Sequence, residues 1–361
     1  MSPSLRPSRR AHGCRLDVFE RDGQTVVVLE NAQLRVAVTP TKGADITELR
    51  LKALDLDLLW RGPHRLYELG RYVPPRPSSR GSFLDYFTGG WQEVLPNGGG
   101  PCTYLGAELG QHGEVALLPW DADVVRDDAD GVSVSFTVRT HRTPFLLERT
   151  LSLDGEGAAL RIEERLTNEG REELAYMWGH HPGFGPPFVA PGCMIDLPGG
   201  TVVTHDGGRK GGRLAGPLRT PWPFGRSESG DEVGLDVFPP LEAESDEDFH
   251  VEELAAGWVA LRNPALGAGI ALSWELDVFP YLWIWLVASG SWGYPYYGRL
   301  VHVALEPFSS PIGNLVDNDA RGTAPHLAPG ASVETTMIAA PFTGSGRCTG
   351  FDGAAPVLEP A

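Results

Sequence analysis

The sequence predicts an all-β fold, a large antiparallel β-sandwich, on three observations. Eight short segments alternate β-branched or aromatic residues with polar ones, the period-2 pattern of half-buried strands. No segment carries a strong amphipathic helical period. The 45 glycines and 31 prolines supply the numerous irregular turns that a many-stranded sandwich needs.

The alternating segments are, in order, TVVVLE (25–30), QLRVAVTP (33–40), GVSVSFTVRTH (131–141), ALRIEERLTN (159–168), GWVALRN (257–263), GAGIALSWEL (267–276), LVHVALEP (300–307) and VETTMIAAP (333–341). Between them lie three glycine- and proline-rich stretches, 61–81, 88–113 and 182–225, expected to be long loops of the kind that carry function. EAESDED (242–248) is an acidic run, expected as a solvated loop. No repeat of 20 to 50 residues is visible, so neither a propeller nor a solenoid is indicated.

Residues 20–343 are read as one sandwich domain, since all-β domains often exceed the usual size prior. Residues 1–19 are expected as a disordered N-terminal tail and 344–361 as a loosely ordered C-terminal one. The N-terminus is basic but lacks the apolar run of a signal peptide, and no window approaches a membrane span.

Composition narrows the partners. Hydrophobic residues make up 42% and charged residues 21% of the chain, near globular averages. A formal net charge of -17 repels polyanions and anionic lipid, which argues against nucleic acid and membrane surfaces. Cys14, Cys102, Cys193 and Cys348 are scattered, without C-x-x-C or metal-like spacing, and are read as reduced thiols of a cytoplasmic protein.

Chemistry concentrates in YMWGHHPGFGPPF (176–188). If the segment is extended, His180 and His181 point to opposite faces, so they do not ligate one ion together, and no metal is expected. One ring faces a site or the core and the other faces away. His112, in GQHGEVALLPW, is a third histidine among glycines, which permit close backbone approach to a ligand. Glu306, in HVALEPFSSP, ends an apolar strand at Pro307 and offers a carboxylate at its tip. No nucleophile elbow, phosphate-binding loop or H-E-x-x-H motif is present.

NAQLRVAVTPTKGADITELRL (31–51), GGWQEVLPN, QHGEVALLPW, GHHPGFG and ALEPFSSP, in this order, resemble the aldose 1-epimerase (galactose mutarotase-like) superfamily. The resemblance covers roughly residues 20–342. It implies a galactose mutarotase-like supersandwich whose concave face binds a sugar, with no cofactor. It gives the acid to His181, which heads the H-x-x-F turn ending at Phe184, and the base to Glu306. It implies substrate contacts from His112 of the HG pair, from Asp246 of a D-x-x-F pattern, and from Gln92 and Asn97 of the GGWQEVLPN loop.

The sequence departs from the family at Thr88, where an arginine often precedes the loop; Arg61, Arg71 or Arg80 then supplies any guanidinium. Trp91, Trp178 and Trp283 are candidate platforms for the apolar face of a pyranose.

The implied activity is the interconversion of α and β anomers of a free aldose. A base removes the C1 hydroxyl proton while an acid protonates the ring oxygen, opening the ring. His180 is assigned a structural role. Alternatives are a hexose-phosphate epimerase, a non-catalytic sugar-binding protein on the same scaffold, and a glycoside-processing enzyme, which would need a second carboxylate. The expected partner is a small sugar, with the chain acting as monomer or homodimer.

Overall fold

The computed structural model describes residues 5–62, 80–205 and 211–360. Two large antiparallel sheets dominate it, one of twelve strands and one of eight. All eight alternating segments form strands, among them Gln24–Glu30, Gly131–Arg139, Leu160–Asn168, Trp258–Asn263 and Val301–Phe308.

In the eight-stranded sheet the alternation works as the sequence predicts. Along Leu160–Asn168, Leu160, Ile162, Glu164 and Leu166 are buried while Arg161, Glu163 and Arg165 are exposed. The inward side chains of both sheets, including Val27, Val36, Phe136, Leu147, Ile162, Phe249 and Met337, join in one apolar cluster, which is what packs sheet on sheet.

The centre of the longer sheet differs. Trp91–Val94, Gly179–Phe184, Val301–Phe308, Tyr281–Ala288 and Ser245–Glu252 are neighbours there, and most of their residues are buried on both faces. One face meets the core; the other is roofed by a second cluster containing Trp60, Phe83, Phe87, Trp285 and Ala304. A strand covered on both sides reads as a continuous apolar run, which is why YLWIWLVA shows no alternation.

The acidic run is a correction. Ser245–Glu252 is a strand paired with Tyr281–Ala288, not a solvated loop. Asp246 and Glu247 are buried, and the charge of Glu247 is met by Arg213 at 2.8 Å.

Both termini are also held more firmly than their composition suggests. Cys14 is fully buried, and Arg15–Arg21 pairs with Gln24–Glu30. At the other end Arg347–Asp352 and Ala355–Glu359 form a hairpin. Cys348, Phe351 and Leu358 place it against Trp258, Ala271 and Phe342, so apolar contact pins the segment expected to be loose. Helix is limited, among the described residues, to short pieces such as Arg80–Tyr86 and Leu315–Ala320. None is long and apolar enough to cross a membrane. The four cysteines are free thiols.

Candidate active site

Strand parity builds the site. Register pairs Trp283 with Glu306, Trp285 with Ala304 and Asp248 with Trp285, and side chains two apart share a face. Asp246, Asp248, Trp283, Trp285 and Glu306 therefore project to the side away from the sandwich core. His181 joins them from Gly179–Phe184, whose neighbour on one side is Trp91–Val94, with His181 opposite Gln92. On the other side the ladder to Val301–Phe308 holds at Gly179 and Gly183 but skips the residues between. Pro182, without an N–H, cannot donate there.

These groups line a cavity of about 690 Å³, together with His112, Gln111, Phe83, Phe87 and the aromatic loop residues Trp292, Tyr294 and Tyr296. Nε2 of His181 lies 3.7 Å from Oε1 of Glu306. The His112 ring is 5.3 Å from the His181 ring and packs edge-on against Phe83 at 4.5 Å. Trp285 Nε1 donates to Asp246 Oδ1 at 2.8 Å. Trp283 stacks on Phe308 at 3.7 Å and donates Nε1–H to the Ser310 carbonyl, which fixes its ring at the cavity wall. Burial pushes His181 down to about 4.

The HG pair has a physical basis. His112 sits at φ 57° and Gly113 at φ 69°, the left-handed region that favours glycine. A Cβ on Gly113 would meet the Leu95 carbonyl oxygen at 2.1 Å. The chain thus turns tightly under Leu95 and throws the His112 ring toward His181.

Of the residues expected to touch substrate, His181, Glu306, His112 and Asp246 share this cavity. Four do not line it, and neither does Trp91, whose indole donates to His180 on the core side. Trp178 is fully buried on the core side, where Nε1 donates to Glu93 at 2.5 Å; its position three residues before His181 places it on the opposite face. Gln92 shares the face of His181 but is fully buried, donating to Asp45 and to the Gly89 carbonyl. Asn97 pins loops instead, donating to the carbonyls of Gly100 and Gly110 and accepting from the Leu315 N–H. Arg61 is half exposed, ion-paired with Asp57 at 2.5 Å, in a separate cleft with Thr88 and Gly89. Arg71 lies outside the described residues, as does the side chain of Arg80.

Sequence reasoning missed Asp248, Trp285, Gln111 and the aromatic loop. The pairing of Asp248 with Trp285 becomes visible only once the acidic run is known to be a strand.

His180, beside His181, faces the core. Its Nδ1 accepts from Trp91 at 3.2 Å and its Nε2 donates to Glu164 at 3.0 Å. Glu93 meets Arg149 at 3.3 Å. Burial pushes Glu93 up to about 8 and Glu164 up to about 7. Glu93, Glu164 and His180 are close enough together to hold a metal ion. The bonding argues otherwise: both imidazole nitrogens are committed, and Arg149 already supplies the cation. The cluster is a buried polar network that joins the two sheets.

Comparison with solved structures shows the same architecture. A candidate aldose 1-epimerase from Klebsiella pneumoniae superposes with a TM-score of 0.72 at 14% identity, covering 92% of this chain and 84% of that one. A galactose mutarotase-like protein from Clostridium acetobutylicum gives 0.60 at 14% identity, covering 92% and 99%. A galactose mutarotase related enzyme from Lactobacillus acidophilus gives 0.59 at 16% identity, covering 89% and 98%. At these identities the likeness establishes the galactose mutarotase-like β-sandwich and nothing finer. No curated protein matches the chain. A family profile matches residues 21–339, nearly the whole sandwich, and the chain belongs to that family, described as a domain of unknown function, DUF4432.

Proposed function

We propose that the protein is an aldose 1-epimerase-like isomerase that interconverts the α and β anomers of a free aldose without a cofactor. The observation that carries this reading is the His181–Glu306 pair, 3.7 Å apart at the floor of one cavity. Anomer exchange needs an acid and a base a few ångströms apart, one at the ring oxygen and one at the C1 hydroxyl, and this pair has that spacing.

Glu306, as carboxylate, takes the C1 hydroxyl proton. His181, as imidazolium, gives a proton to the ring oxygen, and the C1–O5 bond breaks to the open aldehyde. Rotation about C1–C2 presents the other face, and the same two groups run in reverse to close the ring. Burial disfavours the imidazolium, while the adjacent carboxylate favours it. In this reading His112 hydrogen-bonds the ring oxygen or its neighbouring hydroxyl, and Asp246 accepts from a hydroxyl at the far side; both line the cavity. Trp283 and Trp285 offer rings to the C–H face of the sugar.

The sugar-phosphate alternative needs a cationic subsite, an Arg or Lys, in the cavity. Arg61, the one of the three whose side chain is described, is occupied by Asp57 in another cleft. A panel of free hexoses and pentoses, with exchange between anomers followed by NMR at equilibrium with and without protein, tests the proposal. Acceleration on at least one sugar is expected; acceleration on none refutes it.

A further inference from the structure

His302 is fully buried, and neither of its ring nitrogens has a hydrogen-bond partner. Nδ1 of His181 likewise makes no bond of sound geometry, its own main chain being a nearby group that favours the charged ring. Native proteins rarely tolerate such atoms without a catalytic role or a bound water, and two imidazoles in this state stand side by side.

Their approach has a specific cause. His302 lies on Val301–Phe308, on the face it shares with Ala304 and Glu306. Its ring occupies the space over Gly183: a Cβ there would come within 2.4 Å of His302 Nε2. Trp285 at 4.8 Å and Trp60 at 5.5 Å wall the ring in, so it has nowhere to retreat. The ring thereby reaches 6.4 Å from that of His181. No direct hydrogen bond joins them, and nitrogens on two rings at this centroid separation can be bridged through one water.

We propose that His302 is a positioning residue for His181: one water accepts from Nδ1–H of His181 and donates to the unprotonated nitrogen of His302. The bond fixes the tautomer, because the nitrogen that keeps its proton is set by the partner of that nitrogen. Nε2, the nitrogen 3.7 Å from Glu306, is then the atom that takes and gives the transferable proton. The catalytic consequence rests on the isomerase reading above; the coupling of the two rings does not.

The test uses the full chain with His302→Phe, His302→Gln and Gly183→Ala, each checked for folding by thermal unfolding. Nitrogen-15 NMR of the histidine rings reads the tautomer of His181, and anomer exchange on an accepted sugar reads kcat and KM. Expected for His302→Phe are a shift of His181 away from the Nδ1–H tautomer and a fall in kcat of at least tenfold, with KM within about twofold, on the scale of lost outer-shell partners. His302→Gln, which keeps a polar atom for the water, recovers most of the kcat and remains informative if the phenylalanine variant fails to fold. Gly183→Ala, by displacing the ring, reproduces the loss. An unchanged tautomer with unchanged kcat in His302→Phe overturns the proposal. If the wild type exchanges no sugar, the isomerase reading falls, and the tautomer alone decides the coupling: a shift supports it and no shift overturns it.

Discussion

His180 and His181 are adjacent in the chain and serve opposite sides of one sheet: His180 donates to Glu164 in the core at 3.0 Å, while His181 stands 3.7 Å from Glu306 in the cavity. Strand alternation alone separates them. A buried network behind the sheet and an acid–base pair in front of it therefore share one backbone segment, and each makes its own prediction.

Proton delivery should depend on pH. With His181 pushed down to about 4 by burial, its acid form is the minor one at neutrality and declines as pH rises. kcat/KM for anomer exchange should therefore increase as pH is lowered from 8 to 6. A profile that rises with pH over this range contradicts the role of imidazolium as acid.

Stability should fall as pH rises from about 6.5 to about 8. Glu93 and Glu164 are held above their ordinary range, up to about 8 and about 7, so in this window the folded protein binds protons that the unfolded chain has lost. Their contribution is complete below the ordinary carboxylate range and disappears as pH passes the raised values. The buried histidines, shifted down, act in the opposite direction but mainly below the ordinary histidine pKa of ~6.5. Glu164→Gln should flatten the slope of Tm against pH between 6.5 and 8. An undiminished slope in that variant assigns the effect elsewhere.

Measured at a pH above about 8, where Glu93 is ionised, Arg149→Met should cost about 3–5 kcal/mol, the usual penalty for removing one partner of a buried charge pair. Arg149 is nearly inaccessible, pairs with Glu93 and donates to the Ala44 carbonyl. Urea denaturation measures the loss. A change below about 1 kcal/mol would show that the network tolerates an uncompensated carboxylate, contrary to its burial.

Gly113→Ala should destabilise by at least about 1–2 kcal/mol, the cost of a left-handed backbone for a residue with a Cβ, beyond which lies the clash with Leu95. Because the turn aims His112 into the cavity, the variant should also raise KM. Wild-type stability and KM in Gly113→Ala would remove the turn from the account.

The sequence exposes the fold wherever a strand is buried on one face only, because alternation then survives in the residues. Leu160–Asn168 is of this kind. Tyr281–Ala288, covered by the core and by the cavity wall, loses its alternation and its signal. Ser245–Glu252 hides for another reason: Glu247 is compensated by Arg213, distant in the chain, so its charge does not mark solvent.

At the site, the residues that the resemblance singles out, His181, Glu306, His112 and Asp246, line one cavity, and for His112 the signal has a local physical basis in the glycine that its tight turn needs. Trp178, Gln92, Asn97 and Arg61 were misplaced because motif proximity says nothing about face or depth. Trp178 is three residues from His181 and lies behind the sheet; Gln92 is opposite His181 on the same face yet fully buried. Register and burial, not spacing, decide such cases.

The central claim is that Glu306 removes the proton of the C1 hydroxyl, and the most direct measurement is equilibrium exchange between the α and β forms of an accepted sugar, by NMR, for wild type and Glu306→Gln. A folded variant with exchange reduced by ~10²–10⁴-fold, the range for loss of a positioned base, is the predicted result. A folded variant that exchanges anomers at the wild-type rate contradicts it.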